Sequence, residues 1–107
     1  MKTFFGSIFI EKEKLKEAGV EYPIKVEYYK VINEDEFINK DKAKYGINIV
    51  KTEYKKDNIN VEDKTIKYLS NNEQKVDDIL KILKENEVTP ICVQDVICDF
   101  SKKSVYL

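Results

Sequence analysis

The chain has 107 residues, of which 19 are basic and 20 acidic, and its formal net charge is −1. This near-balance excludes a bulk electrostatic attraction to nucleic acid or to an anionic membrane. Histidine is absent and every basic residue is lysine, so the usual general base and the bidentate grip of arginine are both missing. The hydrophobic content of 42% suits one globular domain with its own core.

The N-terminal residues 3–10 predict a strand that is apolar on both faces. Simple alternation divides its large side chains into one set of Phe4, Ile8 and Ile10 and a second set of Phe5 and Phe9. The apolar run is far too short to span a membrane, and charged residues follow it at once instead of a cleavage site. We therefore expect a cytoplasmic protein. Residues 11–18 then predict a short helix that ends at Gly19.

The middle of the chain predicts an antiparallel sheet. Residues 24–32 alternate as a strand should, and residues 45–54 form a second strand in which Gly46 indicates a bulge. Residues 33–44, between them, predict a charged loop or hairpin tip. Residues 59–69 fit either one bulged strand or a small hairpin, and periodicity alone does not choose. In the strand over residues 24–32 we expect two faces, with Ile24, Val26, Tyr28 and Ile32 on one and Tyr29 and Val31 on the other.

Residues 70–100 predict two short amphipathic helices joined by a tight turn. Ser70 and Glu73 have the spacing of a capping box, and Thr89 followed by Pro90 predicts the start of the second helix. Neither helix is long enough to be stable alone in water, so both should pack on the sheet. Their apolar stripes are Val76, Ile79, Leu80 and Leu83 in the first and Val93, Val96, Ile97 and Phe100 in the second.

The expected fold is α+β: an antiparallel β-meander of three to four strands with two C-terminal helices packed on one face. We expect a single domain over 1–107, with residues 1–23 as an N-terminal extension, 24–101 as the core and 102–107 as a tail. Cys92 and Cys98 lie six residues apart on the second helix, about 9 Å between Cα atoms, which is too far for a disulfide. We interpret them as small core residues of a protein in a reducing compartment.

No residue pattern of a known chemistry is present. The candidate carboxylates are Asp77 and Asp78 on the first helix and Asp95 and Asp99, which share a face of the second. Without histidine or further clustered acids these pairs give poor support for a metal site. The sequence therefore predicts a protein that is not an enzyme, with no catalytic, cofactor-binding or metal-binding residues and no cofactor.

Surplus apolar residues favour a protein-interaction module, either a small regulator or an accessory subunit. The partner is another protein or a second copy of the chain, as in a homodimer, and no membrane is involved. Phe37 and Ile38 have the alternative interpretation of a local anchor for their loop. The candidate interface residues are Phe5, Phe9, Phe37, Ile38, Tyr106 and Leu107.

Nucleic-acid binding is the alternative hypothesis. The two helices resemble a helix-turn-helix, but Asp95 and Asp99 on the second helix would repel phosphate. Loop lysines near Tyr45 and Tyr54 are a second route to weak contact, although such lysines usually form a solvated face. The candidate contacts are Lys40, Lys42, Lys44, Lys51, Lys55 and Lys56.

Three blocks of the sequence resemble the markers of an uncharacterised family. They are Glu27-Tyr28-Tyr29, then Tyr45-Gly46-Ile47-Asn48-Ile49-Val50-Lys51, and then Val88-Thr89-Pro90-Ile91 running into Asp95-Val96-Ile97-Cys98-Asp99-Phe100. The family is a domain of unknown function found in small proteins of anaerobic, spore-forming Gram-positive bacteria. The resemblance covers residues 24–101 and implies a compact cytoplasmic α+β domain. It implies no activity, cofactor or catalytic residue.

Overall fold

A computed structural model gives the architecture of the protein, and it describes residues 1–10, 22–33 and 43–103, with side chains up to residue 98. Four strands come first: β1 (Lys2–Ile10), β2 (Ile24–Ile32), β3 (Tyr45–Tyr54) and β4 (Ile59–Ser70). Two helices follow, α1 (Glu73–Glu85) and α2 (Pro90–Lys103). The strands form one antiparallel sheet in the order β1-β2-β3-β4. The α+β meander predicted from the sequence is confirmed, with four strands.

Both helices pack on one face of the sheet, and the core lies between these two layers. The apolar stripe of α1 is fully buried there, as its spacing predicted. Strand β2 has the two faces expected, and Tyr28 is completely buried, with its hydroxyl donating to the carbonyl of Val88 at 2.8 Å. This bond ties the connection between the helices to the middle of the sheet. The core residues are Ile24, Val26, Tyr28, Ile47, Ile49, Val76, Ile79, Leu80, Leu83, Val88, Val93 and Ile97.

A bulge in β1 changes which side chains share a face. The pairing with β2 shifts between Phe4, which is opposite Tyr29, and Gly6, which is opposite Tyr28. An extra residue in a strand reverses the alternation beyond it. Phe5 therefore lies with Ile8 on the side of the helices, whereas Phe4 shares the other face with Phe9. The assignment of Phe4 and Phe5 from simple alternation was wrong for this reason.

A second bulge interrupts the pairing of β3 with β4. Tyr45 pairs with Ser70 and Ile47 pairs with Ile66, so β4 has two more residues than β3 in the same interval. Gly46 lies inside this irregularity, as its position in the sequence indicated. The residues from Ile59 to Ser70 form one bulged strand of 12 residues, which settles the choice that periodicity left open.

The start of α1 differs from the predicted capping box. Asn72 is the N-cap, and its side-chain oxygen accepts from the backbone amides of Gln74 and Lys75 at 3.0 and 3.3 Å. Ser70 belongs to the end of β4 instead, where its hydroxyl accepts from the amide of Asn72. The helix begins two residues later than the capping box implies, because β4 continues through Ser70.

The end of α1 is a Schellman motif built without glycine. The amide of Val88 donates to Leu83, the amide of Glu87 donates to Lys84, and Glu87 has a φ of 53°. Leu83 and Val88, the two residues that make the apolar contact of this motif, are both buried. Helix α2 then begins at Pro90, as predicted.

Both cysteines are exposed, so their interpretation as core residues was wrong. Val93 and Ile97 face the sheet, and each cysteine is one residue away from them, which rotates its side chain by about 100°. The helix predicted over 11–18, Gly19 and most of the loop at 33–44 lie outside the described residues.

Candidate protein interface on the open face of the sheet

The face of the sheet opposite the helices, which we call the open face, is covered by no other described element. The register of the strands arranges its side chains in rows that cross from β1 to β4. The first complete row is Phe9, Lys25, Thr52 and Val61. The central row is Ser7, Glu27, Val50 and Asp63. The third row is Phe4, Tyr29, Asn48 and Thr65.

One end of the open face is rich in exposed apolar residues. Phe9, Ile59 and Val61 are 59%, 64% and 56% exposed, and Tyr54, between β2 and β4, is also exposed. The rings of Phe9 and Tyr54 lie 6.3 Å apart in a tilted arrangement across the sheet. We call these four residues the apolar cluster. A strand with one face in water normally presents polar residues there, so this cluster departs from the pattern of a solvated sheet.

The other end of the open face combines aromatic rings with polar groups. Phe4 and Tyr29 stack edge to face, with ring centroids 5.6 Å apart. The ammonium of Lys2 lies 4.3 Å from the Tyr29 ring and donates to the side-chain oxygen of Asn48 at 3.3 Å. The amide of Asn48 donates in turn to the hydroxyl of Thr65 at 2.8 Å. These contacts link the polar side chains of β1, β3 and β4 across the sheet.

Among the open-face residues that the strand register pairs, the charges balance. Lys2 and Lys25 contribute two positive charges, and Glu27 and Asp63 contribute two negative ones. Tyr29 donates its hydroxyl to Glu27 at 2.7 Å, and this bond raises the pKa of Tyr29 above its ordinary value. A neutral face with an apolar end is suited to contact with protein and has no excess positive charge for phosphate.

The helix side of the sheet carries a separate cluster of charges around Glu53. This carboxylate is only 5% exposed, and it pairs with Lys51 at 3.0 Å and with Lys55 at 3.7 Å. Burial alone would raise the pKa of Glu53, but hydrogen bonds from Lys51 and Tyr22 hold it below its ordinary value. Lys51 also pairs with Glu62 at 3.3 Å. Because these charges satisfy one another, the cluster fixes the end of β3 against its neighbours.

A second charged contact joins α1 to the sheet. Lys30 of β2 donates to Glu73 at 2.7 Å and to Asp77 at 3.1 Å, both in the first half of the helix. The hydrogen bond to Glu73 raises the pKa of Lys30 and lowers that of Glu73. Asp77, a candidate carboxylate for chemistry, is therefore engaged in holding the helix on the sheet.

The family of unknown function DUF6514 has a sequence model that matches residues 1–103 of this chain. The chain belongs to this family. No curated protein and no solved structure is detectably similar to it. The match includes β1, so the N-terminal segment is part of the DUF6514 domain, whereas the resemblance seen in the sequence began at residue 24. The bacterial range that the resemblance implied stays a prediction.

The candidate interface residues of this DUF6514 member fall in different places. Phe9 belongs to the apolar cluster on the open face, whereas Phe5 lies on the opposite side of β1 near Lys81 and Lys84. The remaining four lie outside the described residues: Phe37, Ile38, Tyr106 and Leu107. Sequence reasoning missed Phe4, Tyr54, Ile59 and Val61, although the alternation of Ile59 and Val61 with polar residues was a usable signal for one apolar side of β4.

The candidate lysines are also dispersed. Lys51 is largely buried in the Glu53 cluster, and Lys55 is shared between Glu53 and the ring of Tyr22 at 5.3 Å. Lys44 lies 5.7 Å from the Tyr45 ring, at the opposite end of β3 from the exposed Lys56. Lys40 and Lys42 lie outside the described residues. Among those that are described, Lys51 and Lys55 lie together around a carboxylate, and the exposed Lys56 follows Lys55 in the chain.

Two further features bear on the candidate chemistry. Within the described residues, no three acidic or cysteine side chains come together in a group suited to a metal ion. Asp78 accepts from the side-chain amide of Gln74 at 3.0 Å, and Asp95 is exposed on α2.

No helix among the described residues has the length and apolar character needed to cross a membrane.

Proposed function

We propose that this DUF6514 member is a non-enzymatic interaction module that binds another protein chain through the open face of its sheet, as a small regulator or accessory subunit. The observation that carries the proposal is the apolar cluster, in which Phe9, Ile59 and Val61 are each more than half exposed. Three apolar side chains that are exposed at the same end of one sheet face, with the ring of Tyr54 beside Phe9, favour coverage by a partner.

The size of this tendency follows from the area that a partner would remove from water. Full burial of a side chain such as Phe, Ile or Val is worth about 1.5–3 kcal/mol. Three such residues would therefore contribute several kcal/mol to binding before the cost of association. Lys25 and Thr52 lie between Phe9 and Val61 in the same row, and Glu27 lies in the next row. Apolar residues mixed with polar ones suit a non-obligate protein–protein interface, which as a whole is about as apolar as the rest of a protein surface.

A binding role, as opposed to a catalytic one, is also supported by the ion pairs that the carboxylates already make within the fold. Asp77 is paired with Lys30, and Glu53 is paired with Lys51, so these groups already have partners within the fold. Nucleic-acid binding has less support, because Lys51 and Lys55 are offset by Glu53 and the paired residues of the open face have no net charge. The protein partner is therefore the function that the geometry supports best.

Site-specific photo-cross-linking in cells tests this proposal. A photoreactive phenylalanine analogue replaces Phe9 in one variant and Val61 in another. Phe5 provides the matched control, since it is an aromatic residue of the same strand that is partly exposed on the opposite side. We expect a discrete covalent adduct with a protein from positions 9 and 61 and a much weaker one from position 5. No discrete adduct from either open-face position, or equal adducts from all three, would contradict the proposal.

A further inference from the structure

We propose that the chain on the open face is a second copy of this protein, so that two sheets pack face to face with a helical layer on each outer side. The inference rests on the proposed function and names its partner. It is carried by the distribution of apolar and charged residues over the rows of the open face, which opposes no like charges in one orientation and two pairs of like charges in the other.

Two copies related by a two-fold axis can meet through this face in two ways. If the axis runs parallel to the strands, β1 lies over β4 of the second copy, β2 lies over β3, and each row meets the same row. If the axis runs across the strands, each strand lies over itself and only the central row meets itself. Packed sheets keep their strands within about 30° of each other, so both orientations are compatible with sheet packing.

The parallel axis places the apolar residues of one copy over those of the other and opposes no like charges. In the first row Phe9 meets Val61 of the second copy, which covers the apolar cluster on both sides at once. In the central row Ser7 meets Asp63 of the second copy, and Glu27 meets Val50. In the third row Tyr29 meets the amide of Asn48. No two groups of like charge face each other in these three rows.

The axis across the strands gives the opposite result. It places Glu27 over Glu27 and Asp63 over Asp63 in the central row. Two pairs of like charges that are removed from water would cost several kcal/mol. It also moves the apolar cluster away from its counterpart, because Phe9 would meet Phe4. The charges of the central row therefore select the axis parallel to the strands.

The size of the open face is compatible with a dimer of moderate affinity. Four strands about 4.8 Å apart and nine or ten residues long cover an area of roughly 600 Å². Two copies would bury about 1,200 Å² in total, which is the lower end of the range for stable interfaces. We therefore expect a dissociation constant of about micromolar rather than nanomolar.

A cross-linking experiment with two single-cysteine variants tests both the partner and the orientation. The background is C92S/C98S, since both native cysteines are exposed. Ser7→Cys and Asp63→Cys then leave the apolar cluster intact. Facing residues of packed sheets are about 10 Å apart. With the axis parallel to the strands, the two copies of residue 7 would in addition be displaced across the sheet by about three strand spacings. A short bis-maleimide reaches only the facing pair.

We expect the equimolar mixture of the two variants to give a cross-linked dimer and each variant alone to give little. Strong cross-linking of each variant by itself would show the axis across the strands and overturn the inference. No cross-linking, together with a monomer mass by sedimentation up to several hundred micromolar, would overturn it as well. Phe9→Lys provides the control for the surface: in the intact chain it should lower the dimer fraction at least tenfold while the circular dichroism spectrum is retained.

The two proposals fail separately. If the photo-cross-link at position 9 joins the chain to a different protein and the purified chain is a monomer, the second copy is excluded and the interaction module stands. If the adduct from position 9 has twice the 12.6 kDa mass of the chain, both are supported. If neither position 9 nor position 61 gives an adduct with any protein, the proposed function itself fails.

Discussion

Two glycines of the sheet lie close to other parts of the chain, but they differ in what surrounds them. A Cβ atom built on Gly46 would lie 2.2 Å from the carbonyl oxygen of Ile66 and 2.3 Å from that of Lys67, both of which are backbone atoms of β4. A Cβ on Gly6 would meet only the outer atoms of the Lys84 side chain, at 3.1–3.2 Å. The backbone in the β3–β4 bulge has no room to move without breaking the pairing, whereas a lysine side chain can rotate away.

We predict that Gly46→Ala destabilises the protein by about 3 kcal/mol, because the bulge must be rebuilt to relieve the overlap. Gly6→Ala is the matched control and should change the free energy of unfolding by less than about 1 kcal/mol. Urea unfolding followed by circular dichroism measures both. Equal effects of the two substitutions would show that the close approach at Gly46 does not determine the geometry of the bulge.

At the scale of elements, the parts of the fold that follow one period over a continuous stretch were predictable. Strand β2 and the stripe of α1 are examples, since Val26, Tyr28, Leu80 and Leu83 lie where their spacing placed them. The start of α1 was not predictable, because Ser70 and Asn72 both carry capping side chains and only the length of β4 decides between them. The bulge in β1 was also missed, although Gly6 lies at its end and offered the same signal as Gly46 does in β3.

The charged cluster at the end of β3 should make the stability of the protein sensitive to acid. The pKa of Glu53 is lower in the folded chain than its ordinary value of 4.5. A lowered pKa means that the stabilisation is present above the unfolded value and is lost as the pH falls through the folded one. The free energy of unfolding should therefore decrease as the pH falls below about 4.5, and part of that decrease belongs to Glu53.

Glu53→Gln tests this assignment. We expect the variant to be less stable than the parent at pH 7 by about 2 kcal/mol, since a charge-assisted hydrogen bond is lost. On acidification it should lose less further stability than the parent does. Glu85→Gln, an exposed carboxylate at the end of α1, is the control and should keep the parent's acid sensitivity. Urea midpoints across the acidic range make the comparison, and parallel pH profiles for Glu53→Gln and the parent would refute the assignment.

At the scale of the molecule, the candidate site could be predicted only in part. Phe9 was recognised as surplus apolar material, but its neighbours in the apolar cluster come from β3 and β4, about fifty residues away. Those neighbours become visible only when the register of three strand pairs is known. The grouping of Phe5 with Phe9 failed because one bulge separates them. A surface that is assembled from several strands is a property of pairing, and local sequence patterns do not report it.

The whole-molecule charge gives a last prediction, which concerns the alternative function. The net charge is −1, and the described lysines of the predicted basic patch are either paired with Glu53 or separated along β3. Because phosphate contacts supply most non-specific affinity, we expect no gel shift of mixed-sequence DNA at low salt with tens of micromolar protein. A shift that weakens with added salt, and is lost in a Lys44→Gln and Lys56→Gln double variant but retained in a Lys75→Gln and Lys81→Gln double variant on α1, would restore nucleic-acid binding as the function.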